Sequence, residues 1–171
     1  HLSWYQLTIE PNTVFHKRPP KLPSEDALAD IQQAGEALLA AAGYGQYEVS
    51  AYSRPGLRCR HNRNYWSFGD YLGIGAGAHG KITGEDGRIR RYHKTRQPAD
   101  FLAASIGAFT AGTRELERAD IVGEFMLNAL RLNEGFSRAL FEARTGLDVA
   151  AIEPHLLKLQ ERELIVCDDR G

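Results

Sequence analysis

The sequence predicts an α/β fold, on three observations. A β-rich run at residues 2–10, a helical stretch opening at Ser24 and an extended run from Tyr47 to Ala51 follow in the order strand, helix, strand. Two extended segments then flank a glycine-containing turn, Thr83-Gly84-Glu85-Asp86-Gly87. From near Pro98 the pattern becomes helical, and helices followed by a short extended segment have the order of a winged helix.

Each element has a local cause. Leu2, Trp4, Leu7 and Ile9 sit in the first strand-like run, and Pro11-Asn12 turns it into a proline-rich loop over residues 11–23. Ser24 is a good helix N-cap, and Glu25 and Asp26 suit the positive end of the helix dipole. Leu28, Ile31, Leu38, Leu39 and Ala42 keep a helical period, and Gly43 is a natural stop. With Tyr47–Ala51 as the next strand, this reads as a βαβ unit, which implies a parallel sheet with a right-handed crossover. Residues 52–70 are irregular, aromatic and cationic. Asp70 to Ala76 reads as a buried strand entering a glycine-rich bend, and residues 80–92 as an antiparallel hairpin added to the sheet.

The second part, residues 98–171, is expected to be a small helical, winged-helix-like domain after a first domain over 1–97. Asp100 to Arg114 reads as one helix. Asp120 caps the next, with Ile121, Val122, Phe125, Ala129 and Leu132 as its apolar stripe. Ser137 starts a short helix ending near Gly146, and Asp148 caps another with Val149, Ile152, Leu156 and Leu159 on one face. Leu164 to Cys167 reads as a strand leading into a turn at Asp168–Gly171.

Composition bounds the function. Hydrophobic residues make 43% of the 171 and charged residues 25%, which excludes disorder as the main state. Lys plus Arg number 21 against 22 Asp plus Glu, so bulk charge does not favour nucleic acid. The helix from Asp148 to Glu163 carries Lys158 and Arg162 but also Glu153, Glu161 and Glu163, which repel phosphate. No apolar run is long enough for a membrane span, and the first residues lack the pattern of a signal peptide. Cys59 and Cys167 form no disulfide framework, and a reducing cytoplasm is the default. The only Met is Met126, the chain opens on a strand, and it closes on a turn, so it reads as a piece of a larger protein.

The densest chemistry is Arg58-Cys59-Arg60-His61-Asn62-Arg63-Asn64-Tyr65-Trp66. A neutral imidazole ligates iron, zinc or copper. Tyr65 stands four residues after His61, one turn away if the segment is helical. Trp66 offers a flat face, and Arg58, Arg60 and Arg63 suit carboxylates. Together these fit a flat, acidic-edged porphyrin; a surface loop with a satisfied histidine is the plainer reading. Cys59 and His61 lack the partners of a zinc site. Gly73-Ile74-Gly75-Ala76-Gly77-Ala78-His79-Gly80 allows close approach to the backbone, but it matches neither a Walker loop nor a dinucleotide fingerprint. Tight packing at a barrel mouth explains it equally well.

A family resemblance covers nearly the whole chain. Leu2 to Thr13, Gly43-Tyr44, Tyr47-Glu48-Val49-Ser50, Arg54-Pro55-Gly56 and Cys59-Arg60-His61-Asn62 resemble the second half of the oxygen-independent coproporphyrinogen III oxidase-like radical SAM proteins. His61-Asn62-x-x-Tyr65-Trp66, followed by Gly69 to His79, resembles the HemW branch, whose members act as haem chaperones. Glu124-Phe125-Met126-Leu127-Asn128, Leu130-Arg131-Leu132 and Glu134-Gly135 resemble the family's helical C-terminal domain. The resemblance implies the second half of a partial (β/α) barrel, with a [4Fe-4S] cluster and S-adenosylmethionine in the parent protein. It assigns haem to His61, Asn62 and Tyr65, with His61 as the iron-ligand candidate. It also sets Thr8, Gly75, Ala76, Gly77 and Ala78 near S-adenosylmethionine.

The family's C-x3-C-x2-C motif is absent, and Cys59 and Cys167 do not replace three thiolates, so no catalytic residue is assigned. The partners implied are haem or porphyrin, haem-acceptor proteins, and either a second copy or the N-terminal barrel half against the open edge. Two other readings stand beside the chaperone: a coproporphyrinogen III oxidase of porphyrin biosynthesis, and a non-catalytic winged-helix binding module.

Overall fold

A computed structural model describes residues 1–168. The chain forms two compact units, His1–Cys59 and Arg60–Gly171.

The first unit holds β1 (Leu2–Ser3), α1 (Val14–Lys17), α2 (Glu25–Ala41), β2 (Gly45–Glu48) and β3 (Ala51–Ser53). Helix α2 begins and ends as its sequence requires. The Ser24 hydroxyl accepts from the Ala27 N–H at 3.3 Å, and Gly43 takes the left-handed conformation that stops the helix, with φ 79°. The parallel βαβ pairing is not what forms. The run Tyr47–Ala51 breaks at Val49-Ser50, a turn, so β2 and β3 make an antiparallel hairpin. β3 then inserts between the other two, giving the order β1-β3-β2, antiparallel to each. β1 and β2 run the same way without pairing with each other. The long first strand shrinks to Leu2–Ser3 because it runs antiparallel to β3, which begins at Ala51: the residues after Ser3 face the turn at Val49-Ser50, where the Trp4 N–H makes a last bond to the Ser50 carbonyl at 2.9 Å. Beyond the ladder, Trp4 packs on α2 at Gly35: a Cβ there would lie 1.8 Å from the indole. The expected loop at 11–23 holds the helical turn α1, because the Thr13 hydroxyl caps the His16 N–H at 3.1 Å.

The second unit holds α3 (Arg60–Trp66), β4 (His79–Thr83), β5 (Ile89–Lys94), α4 (Pro98–Ala103), β6 (Thr110–Glu115), α5 (Arg118–Ala129), α6 (Arg138–Thr145), a 3₁₀ turn (Val149–Ala151) and α7 (Glu153–Glu161). The hairpin β4–β5 is as expected, antiparallel and in register from His79↔His93 to Thr83↔Ile89. The expected strand at 70–76 is reduced to one bridge, Tyr71 to Lys81. Ladder donors are diverted there: the Gly73 N–H donates to the Tyr92 hydroxyl at 2.8 Å.

The expected helix from Asp100 to Arg114 is overturned more deeply. It ends at Ala103, Gly107 turns the chain with φ 93°, and β6 adds to β5 to complete the order β4-β5-β6. The composition shift at Pro98 thus falls inside this sheet's span. Asp120 does not cap α5. Glu117 is the N-cap, and Asp120 sits at the third helical position, where its carboxylate accepts from the Glu117 N–H at 3.3 Å in a capping box. Ser137 caps α6 and Gly146 ends it with φ 68°. Asp148 caps the 3₁₀ turn rather than α7, accepting from the Ala150 N–H at 2.8 Å. Residues 164–168 form no strand, and Asp169–Gly171 of the expected turn lie outside the described residues.

The core of this unit gathers on α5. Phe125, fully buried, meets Phe68, Phe136 and Phe141 edge-on at ring distances of 5.9, 5.0 and 5.0 Å. Ile89, Leu116, Ile121 and Ile152 close around them. Phe68 lies just after α3, so the core fixes the base of the segment that carries His61.

Candidate functional site

The segment Arg60–Trp66 is helical, and the spacing of four between His61 and Tyr65 becomes a contact: their rings meet edge-on at 4.7 Å. The helix is closed behind by Asn64. Its backbone carbonyl accepts from the Gly69 N–H at 2.7 Å, and its amide donates to the Asp70 carbonyl at 2.8 Å. That tight return brings Tyr71 back over the helix, where it stacks on Tyr65 with ring centroids 4.1 Å apart and planes 27° apart. Trp66 lies 6.3 Å from Tyr65, and the Arg131 guanidinium sits 4.3 Å over the indole. The result is an aromatic tier with one imidazole at its exposed end.

Strand β5 and helix α5 hold this tier from behind. Arg91 donates from Nε to Glu124 Oε2 at 2.8 Å and from Nη2 to the same oxygen at 2.5 Å. Its Nη1 donates to the Tyr71 hydroxyl, and its guanidinium lies 5.6 Å from the Tyr71 ring centre. Burial pushes the Tyr65 phenol above its ordinary value of 10.0; its hydrogen bond to Tyr71 adds to the rise, and Arg91 pulls weakly the other way. Tyr65 is therefore a neutral phenol across the physiological range.

The stretch that leads into Tyr71 is fixed by a buried cation. Lys81, 1% exposed, donates to the Phe68 carbonyl at 2.9 Å and to Asp70 Oδ1 at 2.8 Å, with Nζ 4.2 Å over the Phe68 ring. Asp70 also accepts from the Thr83 N–H at 2.8 Å and from the Thr83 hydroxyl at 3.0 Å.

The sequence-assigned residues distribute as follows. His61 is exposed, Asn62 and Tyr65 are half-buried, and all three stand on α3. Thr8 is an exposed residue of the first unit, outside its strands and helices. Gly75, Ala76, Gly77 and Ala78 form a turn in the second unit, with Gly75 at φ 101° and Gly77 at φ 69°. The Gly77 N–H donates to the Thr95 carbonyl at 2.8 Å. Tyr71, Arg91, Glu124, Lys81 and Asp70 were not singled out for the site from the sequence. Arg91 and Lys81 meet Tyr71 through the register of β5 on β4 and the Tyr71–Lys81 bridge, and Glu124 comes from α5, so no local pattern marks them.

The residues present fit a tetrapyrrole in kind. An exposed imidazole supplies a ligand, aromatic faces supply a flat apolar surface, and Arg60 is exposed for carboxylates. Arg63 is drawn toward Glu134, at 3.9 Å. They do not fit an iron–sulfur cluster: the two cysteines are a half-buried Cys59 and an exposed Cys167, in different units. Among the described residues no three His, Cys, Asp or Glu side chains converge as a metal site. No described helix is long and apolar enough to cross a membrane.

The chain is similar to known proteins over most of its length. Residues 116–171 match the HemN C-terminal domain family. The chain is 56% identical over 156 residues to the heme chaperone HemW of Escherichia coli, covering 91% of this chain and 40% of that protein. It is 50% identical to the heme chaperone HemW of Haemophilus influenzae, covering 90% of this chain and 39% of that protein. The chain therefore spans about two fifths of the length of these relatives. In fold it resembles the coproporphyrinogen III oxidase HemN of Escherichia coli, a radical SAM enzyme. The TM-score is 0.60 at 19% identity, over 88% of this chain and 38% of that one. By sequence the chain is similar to a portion of the heme chaperone HemW proteins, with a HemN C-terminal domain match at residues 116–171, and by fold it resembles part of HemN.

Proposed function

We propose that this chain is the haem-holding, C-terminal part of a haem chaperone. His61 offers its imidazole to the haem iron, Tyr65 offers a flat wall beside it, and Asn62 offers an amide on the same helix. The observation that carries the reading is the exposed His61 ring, edge-on to Tyr65 and one helical turn away. An imidazole so placed reaches a ligand without unpacking the core, which suits a site that must both load and release its cargo. Release goes to an acceptor protein. The whole protein's cluster belongs to segments other than this chain, whose two cysteines fall short of three thiolates. The turn at Gly75–Ala78, with left-handed glycines that open the backbone, is the part of the second unit we assign to S-adenosylmethionine.

Titrating the protein with ferric haem and following the Soret band tests this. His61→Ala is expected to weaken binding by about tenfold or more and to shift the saturated spectrum, as loss of a metal ligand does. An unchanged spectrum and affinity in that variant would remove His61 from the site.

A further inference from the structure

The seven residues of α3 do not by themselves fix where Tyr65 points, because a half-buried tyrosine on so short a helix has other rotamers open to it. What fixes it is a chain of contacts that starts in the C-terminal helices. Glu124 on α5 receives two N–H groups of Arg91; Arg91 on β5 donates its third contact to the Tyr71 hydroxyl; and Tyr71 stacks on Tyr65, which meets His61. The links are not interchangeable with generic polar contacts. Arg91 uses Nε, Nη1 and Nη2 at once, so its rigid fork sets the angle between Glu124 and Tyr71, which a lysine would not. Glu124 and Arg91 are each about a quarter exposed, 25% and 26%, so their pairing is stronger than that of a surface pair. The backbone of Tyr71 is held independently by its bridge to Lys81, with N–H to O distances of 3.0 and 3.1 Å. The stack also occupies one face of the Tyr65 ring, so a flat ligand has only the other.

We propose that Glu124, Arg91 and Tyr71 are positioning residues of the haem site, through which the C-terminal helices hold the Tyr65–His61 pair at the spacing and side that the tetrapyrrole meets. This rests on the haem reading of α3 and gives the C-terminal segment a part in it. None of these three residues touches the iron. They act through Tyr65, which they keep turned toward His61.

The test is a ferric-haem titration of the full chain in Tyr71→Leu, Tyr71→Phe, Arg91→Lys and Glu124→Gln, with His61→Ala and the core variant Phe141→Leu as references. Each is melted in parallel. Tyr71→Leu and Glu124→Gln are expected to weaken haem binding by about tenfold, the usual effect of losing a residue that orients a ligand. Tyr71→Phe loses the bond from Arg91 but keeps the stack that touches Tyr65, so its loss is held to about threefold. Arg91→Lys falls between the two. At saturation all four keep the wild-type Soret maximum, because His61 still binds the iron, whereas His61→Ala does not. Phe141→Leu lowers Tm and leaves the affinity unchanged.

The proposal is overturned if Glu124→Gln and Tyr71→Leu bind haem as tightly as wild type while His61→Ala does not. It is also overturned if Phe141→Leu loses as much affinity as they do at an equal loss of Tm. If His61→Ala also binds as wild type, the haem assignment itself falls. Should Tyr71→Leu fail to fold, Glu124→Gln and Arg91→Lys decide the outcome alone.

Discussion

Lys81 is almost completely covered, yet it keeps its charge against a carboxylate and a carbonyl. Burial lowers its pKa from the ordinary 10.5, while Asp70 pushes back. For Asp70, burial alone would raise the carboxyl, but hydrogen bonds from Lys81 and Thr83 hold it below its ordinary 3.8. The consequence has a definite sign. The folded protein keeps Asp70 ionised where the unfolded chain already binds a proton, so this stability is present above pH 3.8 and is lost as pH falls through the folded value. Asp70→Asn is expected to flatten that acid limb in urea melts taken as a function of pH. At neutral pH it should cost about 2 kcal/mol, since it leaves the ammonium buried against a neutral amide. Lys81→Met is the gentler change, about 1 kcal/mol, because it removes the buried charge and leaves Asp70 with Thr83 and solvent. The reverse order in urea melts would show that the pair does not work as described. His61 and Tyr65 were legible in the sequence because a spacing of four is a local signal. Lys81, Asp70, Tyr71 and Arg91 were not, because their meeting depends on the register of β4 against β5 and on one bridge from Tyr71.

Among the elements, glycines separate what the sequence could and could not show. Gly43 and Gly146 end helices where the periodic pattern ends, so both stops are legible in the sequence. Gly73 and Gly112 matter through distant neighbours that no local pattern reveals. A Cβ on Gly73 would lie 2.4 Å from the His79 carbonyl oxygen, a backbone atom that cannot step aside. Gly73→Ala is therefore expected to cost about 2 kcal/mol by overpacking, read as a lower Tm. At Gly112 the nearest atom is His93 Cε1 at 2.5 Å, on an exposed ring free to rotate. Gly112→Ala is expected to fall within about 0.5 kcal/mol of wild type, as exposed strand changes do. The misread helix over Asp100–Arg114 belongs here too. Its apolar residues fit a helical period, but β6 is decided by pairing with β5, a contact no window of fifteen residues contains. On α5 the apolar stripe predicted by the period is the buried face, and Phe125→Ala at its centre should cost about 3–5 kcal/mol in chemical denaturation.

For the molecule as a whole, the buried apolar cluster lies in the unit from Arg60 onward. The first unit buries Tyr47, Glu48, Ala51, Tyr52 and Ser53, and none of the residues of α2 is fully covered. Stability should divide accordingly. In native-state hydrogen exchange, the amides of α2 are expected to exchange well before those of α5, whose Ile121, Phe125 and Ala129 are buried. Equal protection of the two helices would contradict this. The α/β class was legible because strand and helix patterns alternate along the chain. The parallel sheet was not, because a two-residue turn at Val49-Ser50 sends β3 between the strands expected to pair.

The indole of Trp66 gives the protein its own optical gauge. The sequence has two tryptophans, Trp4 and Trp66, and the second shares the short helix α3 with His61. In a Trp4→Phe background the remaining emitter sits within two helical turns of the imidazole, so on the proposed function an absorbing macrocycle bound there is expected to extinguish its fluorescence. A stopped-flow trace of that emission would then follow the proposed loading without any label.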